Sequence, residues 1–82
     1  MELVDVIEAR HVRDHIVWLK FADGTEGEID LQSSLRGPVF EPLDDVDYFK
    51  QVRVDPELGT IVWPNGADIA PETLYARLRV AV

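Results

Sequence analysis

Three glycine-bearing turn signals, Asp23-Gly24, Pro56 to Gly59 and Pro64-Asn65-Gly66, mark where this chain must reverse. Asp-Gly between alternating apolar residues predicts a tight hairpin, because a two-residue type I′ turn needs φ > 0 at both central positions. Before it, Leu3 to Val12 (LVDVIEARHV) is rich in β-branched residues and reads as a strand. Simple alternation puts Leu3, Asp5, Ile7 and Ala9 on one face and Val4, Val6, Glu8 and Arg10 on the other. Arg13-Asp14 is the expected turn into a second strand, His15 to Ala22, where Val17, Leu19 and Phe21 share a face. A third strand, Thr25 to Leu31, turns Glu26, Glu28 and Asp30 to one side and Ile29 and Leu31 to the other. The expectation is a three-stranded meander with one acidic, wet face.

The middle of the chain is less regular. Gln32 to Gly37 reads as a short helical turn closed by glycine, and Val39-Phe40 as an extended segment returning apolar side chains to the sheet. Glu41 to Gln51 predicts a short helix with acids in its first turn, and Leu43, Val46 and Phe49 as its buried stripe. Val52 to Asp55 and Thr60 to Trp63 then form a second hairpin, with Pro56 opening the turn and Gly59 taking the positive φ.

The stretch TIVWPNGADIAPETLY, Thr60 to Tyr75, is the most patterned part of the chain. Trp63 precedes a proline and is held extended, and Pro64-Asn65-Gly66 suits positions i+1 to i+3 of a type I turn. Pro71 suits the first position of a helix over Pro71 to Leu78, with Glu72 in the first turn and Arg77 and Arg79 toward the end. Ile69 and Leu74 fall at the spacing of a hydrophobic staple, and Asp68 is expected to cap the free N–H groups that Ala70 cannot. These elements make one α+β domain over residues 1–82: a three-stranded meander, a second hairpin, a short middle helix and a C-terminal helix on the sheet.

Composition narrows the function. Sixteen Asp and Glu against eight Lys and Arg leave a net charge of −8, which repels phosphate backbones and anionic lipid and argues against direct nucleic-acid binding. No apolar run approaches the length of a membrane span, and an acidic N-terminus is unlike a signal peptide, so a cytoplasmic protein is expected. With no cysteine there is neither a disulfide nor a thiolate zinc site. In so short a chain, an apolar fraction of 46% points to extra burial by self-association or docking on a partner.

The FADGTEGEIDL hairpin, the VFEPLDDVDYFKQVRVD stretch and above all TIVWPNGADIAPETLY resemble the bacterial domain-of-unknown-function family 2442 over nearly the whole chain. The resemblance implies an α+β fold and membership of small gene pairs with toxin and antitoxin-like partners. Some longer relatives carry a helix-turn-helix module after this domain; this sequence ends at Val82, which argues against direct DNA regulation. The family supplies no catalytic residue.

Trp63, Asn65 and Asp68 could present an aromatic, an amide and a carboxylate to a partner, but turn and capping chemistry accounts for the same residue types. Trp18 is the expected exposed aromatic anchor, because Val17, Leu19 and Phe21 claim the opposite face. His11 and His15, with Asp14, invite a metal reading; a plain hairpin would face His11 with Ile16 and His15 with Val12, placing the imidazoles on opposite faces. Asp44, Asp45 and Asp47 lack the glycine and closing glutamate of a calcium loop. No metal or cofactor is therefore expected. An acid–base pair of Asp30 and Asp68 is the one enzymatic alternative. The leading expectation is a non-catalytic protein-binding module, antitoxin-like, with a basic partner; a homodimerising structural domain is the second.

Overall fold

Val17, Leu19 and Phe21 are fully buried while Ile16, Trp18 and Lys20 between them are partly exposed, so one strand divides the molecule into a core side and a solvent side. A computed structural model describes residues 4–80, with side chains to Leu78; the expected strand start at Leu3 and the placement of the Arg79 side chain lie outside the described residues. The dividing strand, β2 (Ile16–Phe21), pairs antiparallel with β1 (Val6–Arg13) and β3 (Glu26–Asp30), and β4 (Arg53–Asp55) and β5 (Thr60–Val62) form a separate two-stranded hairpin. A four-residue α1 (Val46–Phe49) and the C-terminal α2 (Pro71–Val80) complete the α+β domain.

β1 departs from simple alternation. Val6 pairs with Phe21 but Glu8 with Lys20, and His11 with Val17 but Arg13 with Ile16, so Ile7 and Val12 are each an extra residue in the ladder. A bulge shifts the pleat by one residue. Val6 is therefore buried and Ala9 packs against the same core, although alternation separates them, while Ile7 and Val12 stand 40% and 37% exposed.

The turns use their glycines in one way twice. Phe21 N–H donates to Thr25 O and Gly24 N–H to Phe21 O; Trp63 N–H donates to Ala67 O and Gly66 N–H to Trp63 O. In each loop only the glycine has positive φ, 90° at Gly24 and 87° at Gly66. Asp23-Gly24 is thus not the two-residue type I′ turn its dipeptide suggests but a three-residue loop with a glycine bulge, the other common hairpin solution. The side chain before each glycine completes it: Asp23 Oδ1 accepts from Thr25 N–H at 2.9 Å and Asn65 Oδ1 from Ala67 N–H at 3.0 Å. Gly59 has the expected positive φ of 67°.

The middle segment differs most from expectation. Val39-Phe40 is not extended but lies within a 3-10 helix, Pro38–Asp44, and the single helix expected over Glu41 to Gln51 is broken at Asp45, which is extended. Asp45 Oδ1 accepts from Asp47 N–H at 2.9 Å as the cap of α1. The carbonyls of Leu43 and Asp44, which a continuous helix would use internally, instead accept from His15 Nε2 at 3.0 and 3.1 Å. Leu43 and Phe49 are still fully buried, whereas Val46 is only partly so.

α2 closes the core. Ile69 and Leu74 are both buried, as the staple spacing requires, and Leu78 lies over Gly27 of β3, where a Cβ would approach Leu78 Cδ2 to 2.5 Å. Arg77 reaches across to Ser34 Oγ at 2.6 Å and to the Asp30 carbonyl at 2.7 Å.

Candidate functional site

The outer face of the three-stranded sheet is built from cross-strand rows. Glu8, Lys20 and Glu26 align across β1, β2 and β3; Arg10, Trp18 and Glu28 form the next row; Ile16 and Asp30 follow. On this face β3 carries acids alone, while β1 and β2 carry the cations together with the one acid Glu8. β3 contributes Glu26, Glu28 and Asp30, all exposed, about 7 Å apart along the strand by the two-residue repeat of a pleat. The cations stand on the other two strands, Arg10 and Arg13 on β1 and Lys20 on β2.

Trp18 lies between the two signs, half-buried. The Arg10 guanidinium sits 4.9 Å from its ring centroid, within cation–π range. Arg10 also approaches Glu8 at 3.9 Å, but with both side chains exposed such a pair contributes little. Among the described residues Glu26 and Glu28 have no ion pair, so the carboxylates beside Trp18 remain unmatched. A face with one partly open aromatic and a strip of unpaired carboxylates can attract and hold a cationic surface.

The other aromatic of the sequence reading sits elsewhere. Trp63 is 1% exposed, packs on Phe49 with ring centroids 5.5 Å apart and donates its indole N–H to the Phe49 carbonyl at 2.8 Å. Its ring is core and leaves a partner no surface. Asn65 is exposed; beyond its turn role it donates from Nδ2 to the Val39 carbonyl at 2.8 Å, fastening the turn to the 3-10 helix. Asp68 is exposed and bridges Val62 through the backbone. Among the described residues its carboxylate takes no hydrogen bond from the first turn of α2, so the expected cap is not formed. The α2 entry is held by the Thr60 hydroxyl, which donates to the Ile69 carbonyl at 2.5 Å, and by Leu74 N–H to Ala70 O.

The two histidines share a face, contrary to the plain-hairpin expectation. Both lie edge-on to Phe49, with centroid separations of 5.9 Å for His11 and 4.9 Å for His15. The bulge at Val12 pairs His11 with Val17 instead of Ile16, and Asp14 takes a positive φ of 44° in the turn. Each imidazole already has work: His11 Nε2 meets the Asp14 carbonyl at 2.8 Å, and His15 Nε2 meets two carbonyls. Because a carbonyl only accepts, Nε2 carries the hydrogen in both rings and is closed to a metal. Among the described residues no group of three or more His, Asp or Glu is placed to hold an ion.

Asp30 and Asp68 are both exposed, and Asp30 Oδ1 accepts from Gln32 N–H at 3.0 Å. Neither carboxylate is enclosed. Among the described residues no helix is long and apolar enough to cross a membrane.

The comparison with family models decides the chain's relationship. The model described as "Protein of unknown function (DUF2442)" matches residues 6–79, from the first residue of β1 almost to the end of α2. The chain belongs to the DUF2442 family. No curated protein and no solved structure matched it. The match covers both the sheet whose outer face carries Trp18 and the Trp63 turn, so both are parts of the DUF2442 domain.

The alternation of β2 and β3 turns Trp18 and the β3 carboxylates outward, as expected, whereas the Arg10 contact with Trp18 is not among the expectations. The contact follows from the bulge at Val12, which moves Arg10 from opposite Val17, where a plain hairpin would put it, to opposite Trp18.

Proposed function

We propose that this DUF2442 chain is a non-catalytic protein-binding module of the bacterial cytoplasm, the acidic, antitoxin-like member of a two-protein pair whose partner is basic. The observation that carries the reading is the strip of unpaired carboxylates, Glu26 and Glu28, beside the half-buried Trp18 on the open face of the sheet. With a net charge of −8, the chain steers a cationic protein toward that face and speeds encounter, and the indole supplies apolar contact once docked. The same charge repels nucleic acid and anionic lipid, so neither is a direct partner.

The test is affinity capture from lysate of the source organism at low and high salt, with the wild-type chain and Trp18→Ala side by side. A basic protein held by the wild type at low salt, released at high salt and lost from Trp18→Ala supports the reading. A retained protein indifferent to Trp18 removes it.

Self-association is a second reading, favoured by the exposure of Ile7 and Val12 on the two bulges of β1, an edge strand of its sheet. Light scattering of the purified chain checks it: a concentration-independent dimer supports it, and a monomer at high concentration rejects it.

A further inference from the structure

One cross-strand row holds a cation, an aromatic and an anion in order: Arg10 on β1, Trp18 on β2 and Glu28 on β3. The Arg10 guanidinium covers the Trp18 ring at 4.9 Å. Glu28, opposite Trp18 on the neighbouring strand, has no ion pair among the described residues, while Arg10 has a carboxylate within reach in Glu8, 3.9 Å away. Among the described residues the Trp18 indole N–H has no hydrogen-bond partner, whereas the Trp63 indole is satisfied by Phe49. The row is thus an aromatic plate with a carboxylate beside it, provisionally covered by a guanidinium from its own chain.

We propose that this row is an arginine-recognition subsite, in which a partner's arginine stacks on Trp18 and pairs with Glu28 while Arg10 leaves the ring for Glu8. The inference rests on the protein-binding reading and narrows the partner's chemistry from basic to arginine-bearing. A guanidinium is planar, weakly hydrated and forked, so it can lie on an indole and meet a carboxylate bidentately at once. A lysine ammonium is a strongly hydrated point charge and cannot do both with the same geometry. Arg10 then acts as an internal competitor: it keeps the indole covered in the free protein and lowers affinity for any guanidinium that must displace it.

The experiment uses the full chain, labelled with nitrogen-15, titrated at low ionic strength with synthetic nona-arginine and, separately, nona-lysine. The two indole N–H resonances report on the subsite and the core independently. Nona-arginine is expected to bind about two- to five-fold more tightly than nona-lysine, the range an exposed cation–π contact is worth, and to shift the Trp18 indole signal but not that of Trp63. Arg10→Ala is expected to tighten nona-arginine binding more than Arg13→Ala, which removes the same charge from the same strand without uncovering the ring. Glu28→Gln is expected to abolish the preference for arginine. All these positions are solvent-facing, so the variants fold, and unchanged Trp63 indole shifts verify it in each.

Equal, salt-sensitive binding of the two peptides with no movement of the Trp18 indole would overturn the arginine subsite and leave the acidic binding face intact. Binding of neither peptide would remove both.

Discussion

His15 and Leu43, twenty-eight residues apart, are joined by a hydrogen bond of 3.0 Å from the His15 Nε2–H to the Leu43 carbonyl, and the same hydrogen is shared with Asp44 O at 3.1 Å. The contact ties the first hairpin to the middle segment at the point where that segment stops being helical. Trp63 and Asn65 donate in the same manner to the carbonyls of Phe49 and Val39. Three side chains from the hairpin ends thus take four backbone acceptors of a segment made of two short helical pieces, Pro38–Asp44 and α1, broken at Asp45.

Replacing His15 by Phe keeps an aromatic edge against Phe49 and removes the shared donor. Leu43 O and Asp44 O are left without it, and a buried acceptor without a partner costs about 1–3 kcal/mol. Urea unfolding of His15→Phe should show a lower midpoint with an unchanged slope, and a midpoint equal to wild type would show that the contact stabilises nothing.

Trp63→Phe removes the donor to Phe49 O together with part of a fully buried ring, and a loss of about 2–4 kcal/mol is expected from the two effects combined. Trp18→Phe, on the half-open face, should cost less than about 1 kcal/mol. In the folded state, iodide should quench the Trp18 emission of a Trp63→Phe chain readily and the Trp63 emission of a Trp18→Phe chain hardly at all.

Much of this arrangement is legible in the residues, and the failures share one cause. The reversals are readable because Gly24, Gly59 and Gly66 each take a positive φ that side-chain-bearing residues avoid. The core face of β2 is readable because its alternation is unbroken. Alternation in β1 is not, since the bulges at Ile7 and Val12 are set by pairing with β2 and leave no local mark; the faces of His11 and Arg10 follow from them. The break at Asp45 is hidden for a similar reason, since the Leu43 and Asp44 carbonyls beside it are met by His15, a donor that only the tertiary fold delivers. Trp18 is legible as an outward aromatic, but its cover by Arg10 is another consequence of the bulge at Val12.

Tyr75 packs edge-on against Phe21, with centroids 5.1 Å apart, and its hydroxyl donates to the Asp23 carboxylate in the hairpin loop. Tyr75→Phe keeps the ring contact and removes this bond, which ties α2 to the β2–β3 turn. A loss of about 1 kcal/mol is expected, moderated by the exposure of Asp23. In a double-mutant cycle with Asp23→Ala the two losses should be less than additive, and strict additivity would mean that the pair is not coupled.

Asn65 uses both ends of its amide, Oδ1 toward Ala67 N–H and Nδ2 toward Val39 O. Asn65→Asp preserves the acceptor but places an oxygen where the Val39 carbonyl needs a donor. The Asp variant should therefore gain nothing over Asn65→Ala despite retaining the turn chemistry, with each costing about 1 kcal/mol. An Asp variant as stable as wild type would show that the Val39 contact is incidental.

The central claim is that the carboxylate strip of β3 is where a basic partner docks. The most direct measurement is the affinity of the captured partner for the wild-type chain and for Glu26→Gln/Glu28→Gln/Asp30→Asn, compared across a range of salt concentrations. A partner that binds the triple variant at least about tenfold more weakly, with a flatter salt dependence, is the predicted result. Equal affinity and an equal salt slope for the two chains would contradict it.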